Sequence, residues 1–327
     1  SAFLSYHQFH AALAHEVDAW RGEPSNANAV AQIASVQMEL GNYDAARATL
    51  ASIPSGPAEN PTVDSVKVRY DELSGRLTSA RELIDSAIRS IDSDISIPAY
   101  DRSWFHLRSA QLAFEAGDTR QAESDLSIAL DDFPDNAVAL MWEARLFRAQ
   151  KRWPQALTAA TRSADLYPLP QTLGYKADAQ RALGDIEGAR ETDALIDAER
   201  RLFNANGVND RLLANYYAQR ERNLDAALRA AQSDYQKRGD EIYADDTLGW
   251  VLAKMGRWTQ ARVYSERAVR LGTQDAEIQY HTAIVALRSG HTGEARSRLQ
   301  LALSLHPDFD PLESDDARAQ LAKIGRP

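Results

Sequence analysis

Histidine followed by glutamate is half of a zinc-hydrolase helix, and His15-Glu16 sits within a helical pattern near the start of this chain. The chemistry needs a second histidine one turn on, so that both imidazoles face the metal while the glutamate works as base. Position 19 is Ala19, so the constellation fails. His7 and His10 stand three residues apart on the same helix, but two ligands without a third make a weak site. His106, His281, His291 and His306 are scattered along the chain. The acid pairs Asp131-Asp132 and Asp315-Asp316 are sequence neighbours at helix boundaries; adjacent residues do not face one another on a helix, so they read as charge near helix ends. There is no cysteine, which excludes thiolate nucleophiles, disulfides and cysteine zinc sites. Neither phosphate-cradling glycine motif occurs. No catalytic residue, cofactor or metal is therefore expected, and an enzyme within residues 1–327 is not expected.

Net charge is −10, from 37 basic and 47 acidic residues. Tracking a phosphate backbone needs a concentrated basic face, so a nucleic-acid partner is not expected. No run approaches the roughly 18 apolar residues of a membrane span. The chain begins Ser1-Ala2-Phe3 with no basic or apolar leader. We expect a soluble protein with a trimmed start, and leave the compartment open between an exported, periplasmic one with its signal removed and the cytoplasm.

The elements that position these side chains announce themselves through glycine. Gly41, Gly75, Gly117, Gly184, Gly256 and Gly290 are each followed five residues later by alanine, at Ala46, Ala80, Ala122, Ala189, Ala261 and Ala295. Thirty-four residues separate Gly41 from Gly75, and Gly256 from Gly290. A turn glycine followed by a small residue one turn into the next helix, at this period, predicts stacked helical hairpins. The second helices carry packing residues on one face, as at Ala122, Leu126 and Ala129, and again at Ala295, Leu299 and Ala302. Pro134, Pro168 and Pro307 close units. Repeats override the two-domain expectation that length alone would give.

Units start near 27, 61, 103, 137, 170, 208, 242 and 276. The fourth has Lys151 and the sixth Arg222 where the glycine belongs. Insertions fall near Ile91–Tyr100 and Asn204–Gly207, and Pro54-Ser55-Gly56-Pro57 ends the first unit early. Residues 1–26 are expected to hold a helix packed on the array, 27–309 the solenoid, and 310–327 a capping helix and tail whose polar outer face runs from Glu313 to Lys323.

This register resembles the tetratricopeptide repeat family, bacterial scaffold and adaptor proteins among them. The seventh unit carries Leu248-Gly249, Leu252, Gly256, Trp258 and Ala261, and the third and eighth match at turn, alanine, leucine and closing Pro134 or Pro307. The resemblance implies an all-α, right-handed superhelical solenoid of about eight hairpins. It also implies a non-catalytic scaffold that binds a peptide or protein on the concave face, formed by positions 2, 5, 6, 9, 12 and 13 of each unit. Those positions nominate Trp104, Arg108, Gln111, Met141, Trp142, Arg145, Arg148, Tyr175, Arg181, Tyr216, Trp250 and Tyr280 as the partner-binding groove. Arginine and aromatic side chains are binding anchors, and the arginines suit a carboxylate or acidic peptide. The same residues serve equally well to pack neighbouring helices, with the arginines paired to nearby acids. The lysine–asparagine carboxylate clamp of one subtype is absent, since Ala31, Ser35 and Val66 stand in its place. Two other readings stay open: an envelope assembly factor binding polysaccharide or lipid-linked sugar, and the regulatory arm of a larger enzyme. A homodimer through the terminal helices is a further expectation, given the apolar Phe3, Leu4, Phe9, Leu13, Val17 and Trp20 of the first helix.

Overall fold

The computed structural model describes residues 7–54, 60–203 and 210–325. They form helices and connections without strands. Helix α1 (Phe9–Gly22) precedes eight antiparallel hairpins, and α18 (Glu313–Ile324) follows them. The hairpins are α2 (Ala27–Glu39) with α3 (Tyr43–Ala51), α4 (Pro61–Leu73) with α5 (Leu77–Asp92), α6 (Ala99–Glu115) with α7 (Thr119–Asp132), and α8 (Ala137–Ala149) with α9 (Trp153–Leu166). Then come α10 (Pro170–Ala182) with α11 (Ile186–Phe203), α12 (Asp210–Gln219) with α13 (Leu224–Arg238), α14 (Ile242–Lys254) with α15 (Trp258–Ala268), and α16 (Ala276–Arg288) with α17 (Thr292–Leu305). Together they make a superhelical solenoid. No described helix is long and apolar enough to cross a membrane.

Side-chain caps start several of the first helices. Asn26, Asn60, Asn136 and Asp275 each accept a hydrogen bond from the exposed amides of the following turn. Proline occupies the first turn of α4, α9 and α10, where its missing N–H costs nothing. Packing within a hairpin follows the small–large–small stripe. Ala122, Leu126 and Ala129 of α7 are buried, as are Ala295, Leu299 and Ala302 of α17. The alanines let helix axes approach while each leucine fills the groove and contributes about 2 kcal/mol by burial. Enlarging Ala122 would push the two helices of its hairpin apart.

Some details depart from the expected register. Helix α6 begins at Ala99, ahead of Ser103, so part of the expected insertion is helical. In the sixth hairpin the left-handed residues are Glu221 and Asn223, flanking Arg222. In the fourth, Lys151 itself takes the left-handed conformation. Glu313 is buried at the start of α18 and does not lie on a polar outer face. The expected insertion at Asn204–Gly207, residues 55–57 of the expected break, and Phe3 and Leu4 of the expected first helix lie outside the described residues.

The superhelix turns far enough to meet itself. A Cβ on Gly41 would lie 2.5 Å from the Asp240 carbonyl, and one on Gly75 would overlap the Gly272 carbonyl. The corresponding turn at Gly117 abuts the Leu305 carbonyl, and Lys151 pairs with Asp315 at 2.8 Å. Thus the turns of the first four hairpins dock on the connections that follow α13, α15 and α17 and on α18. The Ile242 amide donates to the Tyr43 hydroxyl at 2.9 Å, and Ile242, Ala268 and Ile278 share one apolar cluster with Ala31, Val63 and Leu73.

Candidate functional site

Because the array closes on itself, its first helices converge on a narrow interior. Three spaces line it. An N-terminal cavity of about 680 Å³ is bounded by α2, α4, α6 and α8, and includes Glu39, Arg69, Trp104, Arg108 and Gln111. A C-terminal cavity of about 470 Å³ is bounded by α14, α16 and α18, and includes Trp250, Lys254, Trp258, Tyr280 and Arg288. A small space of about 40 Å³, lined by Arg145, Arg148, Tyr175 and Tyr216, adjoins the second. The two large cavities share no lining residue.

An ion-pair network runs between them. Arg108 pairs with Glu72, which also accepts from Arg69 at 2.8 Å. Burial alone would raise Glu72, but Arg108 and then Arg69 outweigh it and hold the carboxyl at about 2. Beside it, burial together with the charges of Glu72 and Asp275 pushes Glu115 well above the carboxylate range. Arg145 donates to Glu277 at 3.0 Å and stacks over the Trp142 ring. Arg148 donates to Asp178 at 2.8 Å and pairs with Asp310. Each pair is largely removed from water, where a charge left without its partner is costly.

The nominated residues therefore divide. Trp104 (39% exposed), Arg108 and Gln111 line the N-terminal cavity. Trp250 and Tyr280 line the C-terminal one, with the Tyr280 hydroxyl donating to Asp316 at 2.8 Å. Arg148 borders both the C-terminal cavity and the small one. Arg145, Tyr175 and Tyr216 face the small space, and Tyr216 donates to Asp193 at 2.6 Å. Met141 is buried against Ala144, Ala159 and Tyr175. Trp142 meets Phe114 edge-on at 5.9 Å. Arg181 is exposed and paired with Asp193. His7 packs on the Phe9 ring and His10 points outward on α1.

The acids that meet the arginines, and the cavity residues Lys254, Trp258 and Arg288, were not nominated. The register held a signal for four of the acids. Glu277 occupies position 2 of the eighth unit, Asp178 position 9 of the fifth, Glu72 position 12 of the second and Glu115 position 13 of the third, all positions that the resemblance places on the concave face.

Comparison with known proteins agrees with this architecture. Two family profiles, each described as tetratricopeptide repeat, match residues 107–169 with 247–310 and residues 3–70, together more than half of the chain. The chain belongs to the tetratricopeptide repeat family, whose arrays are interaction scaffolds. Among solved structures, a chain of the APC/C hetero-tetramer Cut9-Hcn1 is similar at 16% identity and a TM-score of 0.41, over 91% of this chain and 63% of that one. This chain thus spans less than two thirds of that protein. Yeast Tom70 is similar at 11% identity and 0.43, over 98% and 87%. The human IFIT1 dimer with m7Gppp-AAAA is similar at 14% and 0.49, over 92% and 77%. No curated protein matches.

Proposed function

We propose that this protein is a non-catalytic scaffold that seats an extended peptide of a protein partner in the C-terminal cavity. One observation carries the reading. A preformed space of about 470 Å³ combines the apolar surfaces of Trp250, Trp258, Ile284 and Leu287 with the cation Arg288; Lys254 there is held by Glu221 at 3.0 Å, and Asp178, Asp310, Glu313 and Asp316 complete the polar wall. That size and mixture suit a ligand with a buried apolar anchor and one or two oriented polar contacts. The peptide that fits carries an apolar side chain next to an acidic one. Arg288 lies over the Trp258 ring at 6.0 Å, so a peptide carboxylate bound there also meets an aromatic wall. The interior arginines Arg108, Arg145 and Arg148 hold the array together in this reading, while Trp104 and Gln111 offer a second docking point at the far end.

The test is selection from a random peptide library on the full chain, followed by titration of the selected peptides. Apolar–acidic peptides are expected. Trp258→Ala and Arg288→Glu should each weaken them at least about tenfold, with melting temperature unchanged for Arg288→Glu and lowered for Trp258→Ala, which also packs on the core, and Trp104→Ala reports whether the N-terminal cavity contributes. Peptides that bind Arg288→Glu and Trp258→Ala as they bind the parent would defeat the reading. Binding of oligosaccharides in place of peptides would transfer it to a polysaccharide or lipid-linked sugar ligand.

A further inference from the structure

Between the C-terminal cavity and the small one stands a group of side chains that the peptide reading does not use. Glu277 and His281 lie four residues apart on α16, which stacks them on one helix face. Glu313 opens α18 opposite them. One ligating atom from each lies within 4.8 Å of the other two. His281 Nε2 is 3.4 Å from Glu313 Oε1, and its Nδ1 is 3.0 Å from both oxygens of Asp246 on α14. The imidazole is held flat by Trp250, stacked at 4.0 Å between ring centroids.

Two observations say that this group lacks a partner. Glu313 is 7% exposed, yet its Oε2 accepts no hydrogen bond from the described residues. A buried acceptor left unmet is costly, and more so when it belongs to a charged group. The count of charges points the same way. Asp246, Glu277 and Glu313 face the Arg145 guanidinium and one imidazole, with Gln219 adding a neutral donor to Glu277 at 3.2 Å. Lys254, the next cation, is drawn to Glu221 at 3.0 Å and lies over the Trp250 ring.

We propose that Glu277, His281 and Glu313 bind a divalent transition-metal ion, with His281 ligating through Nε2 and Asp246 accepting the hydrogen bond of its Nδ1–H. A carboxylate behind a ligating histidine is the usual device for fixing its tautomer and orientation. One imidazole and two carboxylates without thiolate suit Zn²⁺ or Mn²⁺. Calcium is disfavoured because it needs six or more oxygens, and magnesium because it keeps to oxygen and water. Ligand bonds of about 2.1 Å allow at most about 4.2 Å between ligand atoms, and the 3.4 Å between His281 Nε2 and Glu313 Oε1 already lies inside that limit. The ion takes the place of the proton on His281 Nε2. It ties the last hairpin to the C-terminal helix, and its remaining coordination positions take water from the adjoining cavity.

The competing occupant is a proton, giving an imidazolium bridged between Asp246 and Glu313, and the experiment separates the two. Full-length chain stripped with EDTA is titrated near neutral pH with Zn²⁺ and separately with Mn²⁺, and bound metal is counted after gel filtration. One equivalent of Zn²⁺ or Mn²⁺ per chain and a higher melting temperature in the metal are expected. Glu313→Gln, which keeps the shape of the side chain, should lower affinity at least about 100-fold, and Asp246→Asn about 10- to 100-fold. His7→Ala with His10→Ala should bind as the parent does. A parent chain that retains no stoichiometric metal, or a Glu313→Gln variant that binds equally, leaves the proton as the occupant and overturns the proposal. The parent-chain stoichiometry decides the matter even if a variant fails to fold.

Discussion

Arg148 reaches from the fourth hairpin across the interior to Asp310, 162 positions further along the chain, while its Nε holds Asp178 at 2.8 Å. One guanidinium thereby joins the fourth and fifth hairpins to the segment that leads into α18. Burial opposes its charge, but Asp310 and Asp178 outweigh that and keep it firmly protonated.

Removing that guanidinium leaves the buried Asp310 carboxylate without its partner, while Asp178 keeps Arg220 at 2.7 Å. Arg148→Ala is expected to cost about 3–5 kcal/mol, read as a fall in the urea midpoint. Arg181→Ala removes a cation that is 39% exposed, and should cost no more than about 1 kcal/mol. Equal effects from the two would show that the interior pair is not a structural tie.

The turn glycines make a second contrast. Gly75 and Gly256 share the left-handed conformation, so alanine at either costs about 1–2 kcal/mol in backbone strain. Only Gly75 also presses on a backbone across the superhelix; Gly256 has no such neighbour within 4 Å among the described residues. Gly75→Ala should therefore lower the melting temperature more than Gly256→Ala, and should enlarge the radius of gyration measured by small-angle scattering.

His306 gives a pH signature. It is 2% exposed and neither ring nitrogen has a hydrogen-bond partner among the described residues. Burial, then Arg145, depress it to about 4, with Asp308 opposing weakly. The unfolded chain takes up this proton near 6.5 and the folded chain does not, so stability is lost as pH falls from about 6.5 to 4, by at most about 3 kcal/mol. Asp245, raised to about 7, and Glu277, raised to about 8, act in the opposite direction and lose stability as pH rises through those values. Comparison with His306→Leu isolates the histidine: the difference in unfolding free energy between variant and parent should grow steadily below pH 6.5. A difference that stays flat between pH 7 and 4.5 would count against this assignment.

Self-association through the first helix is the remaining expectation to test. Phe9 and Ala12 are covered by Val36 and Leu40, but Val17 and Trp20 border a shallow apolar groove with Val30 and Ile33. We propose that a second copy seats there. Sedimentation velocity should show dimer for the parent chain and monomer for Trp20→Glu; a strictly monomeric parent removes the idea.

What the sequence disclosed follows from the range of each interaction. Hairpins were legible because turn glycines, alanine stripes and closing prolines act within a few residues. The concave positions came from the family resemblance and not from the residues alone. The closure was not legible. Arg145 and Glu277 are 132 residues apart, and neither has a local pattern that names the other. The arginines were open to two readings, anchors for a ligand's acid or partners of nearby acids; they meet acids of their own chain, some of them far along it. Glu313 was assigned to the outside because a terminal helix needs polar cover; Asp310, accepting from the Leu312 and Glu313 amides, instead caps the start of α18, where Glu313 is buried.

The contact of early turns with late connections has a consequence for how the chain comes to be folded. An open array behaves like a zipper, in which each hairpin needs only its neighbours and can form as soon as it is synthesised. Here the Glu39–Arg238 pair waits for 199 residues of intervening chain, and the docking of Gly117 on Leu305 waits for nearly all of it. Long-range closure slows folding and comes late, because the entropy of the enclosed loop must be lost before the contact forms. Cutting away the last hairpin and α18 would strip the third and fourth hairpins of the surface they rest on, so the molecule is expected to melt as one latched ring and not to fray from its ends.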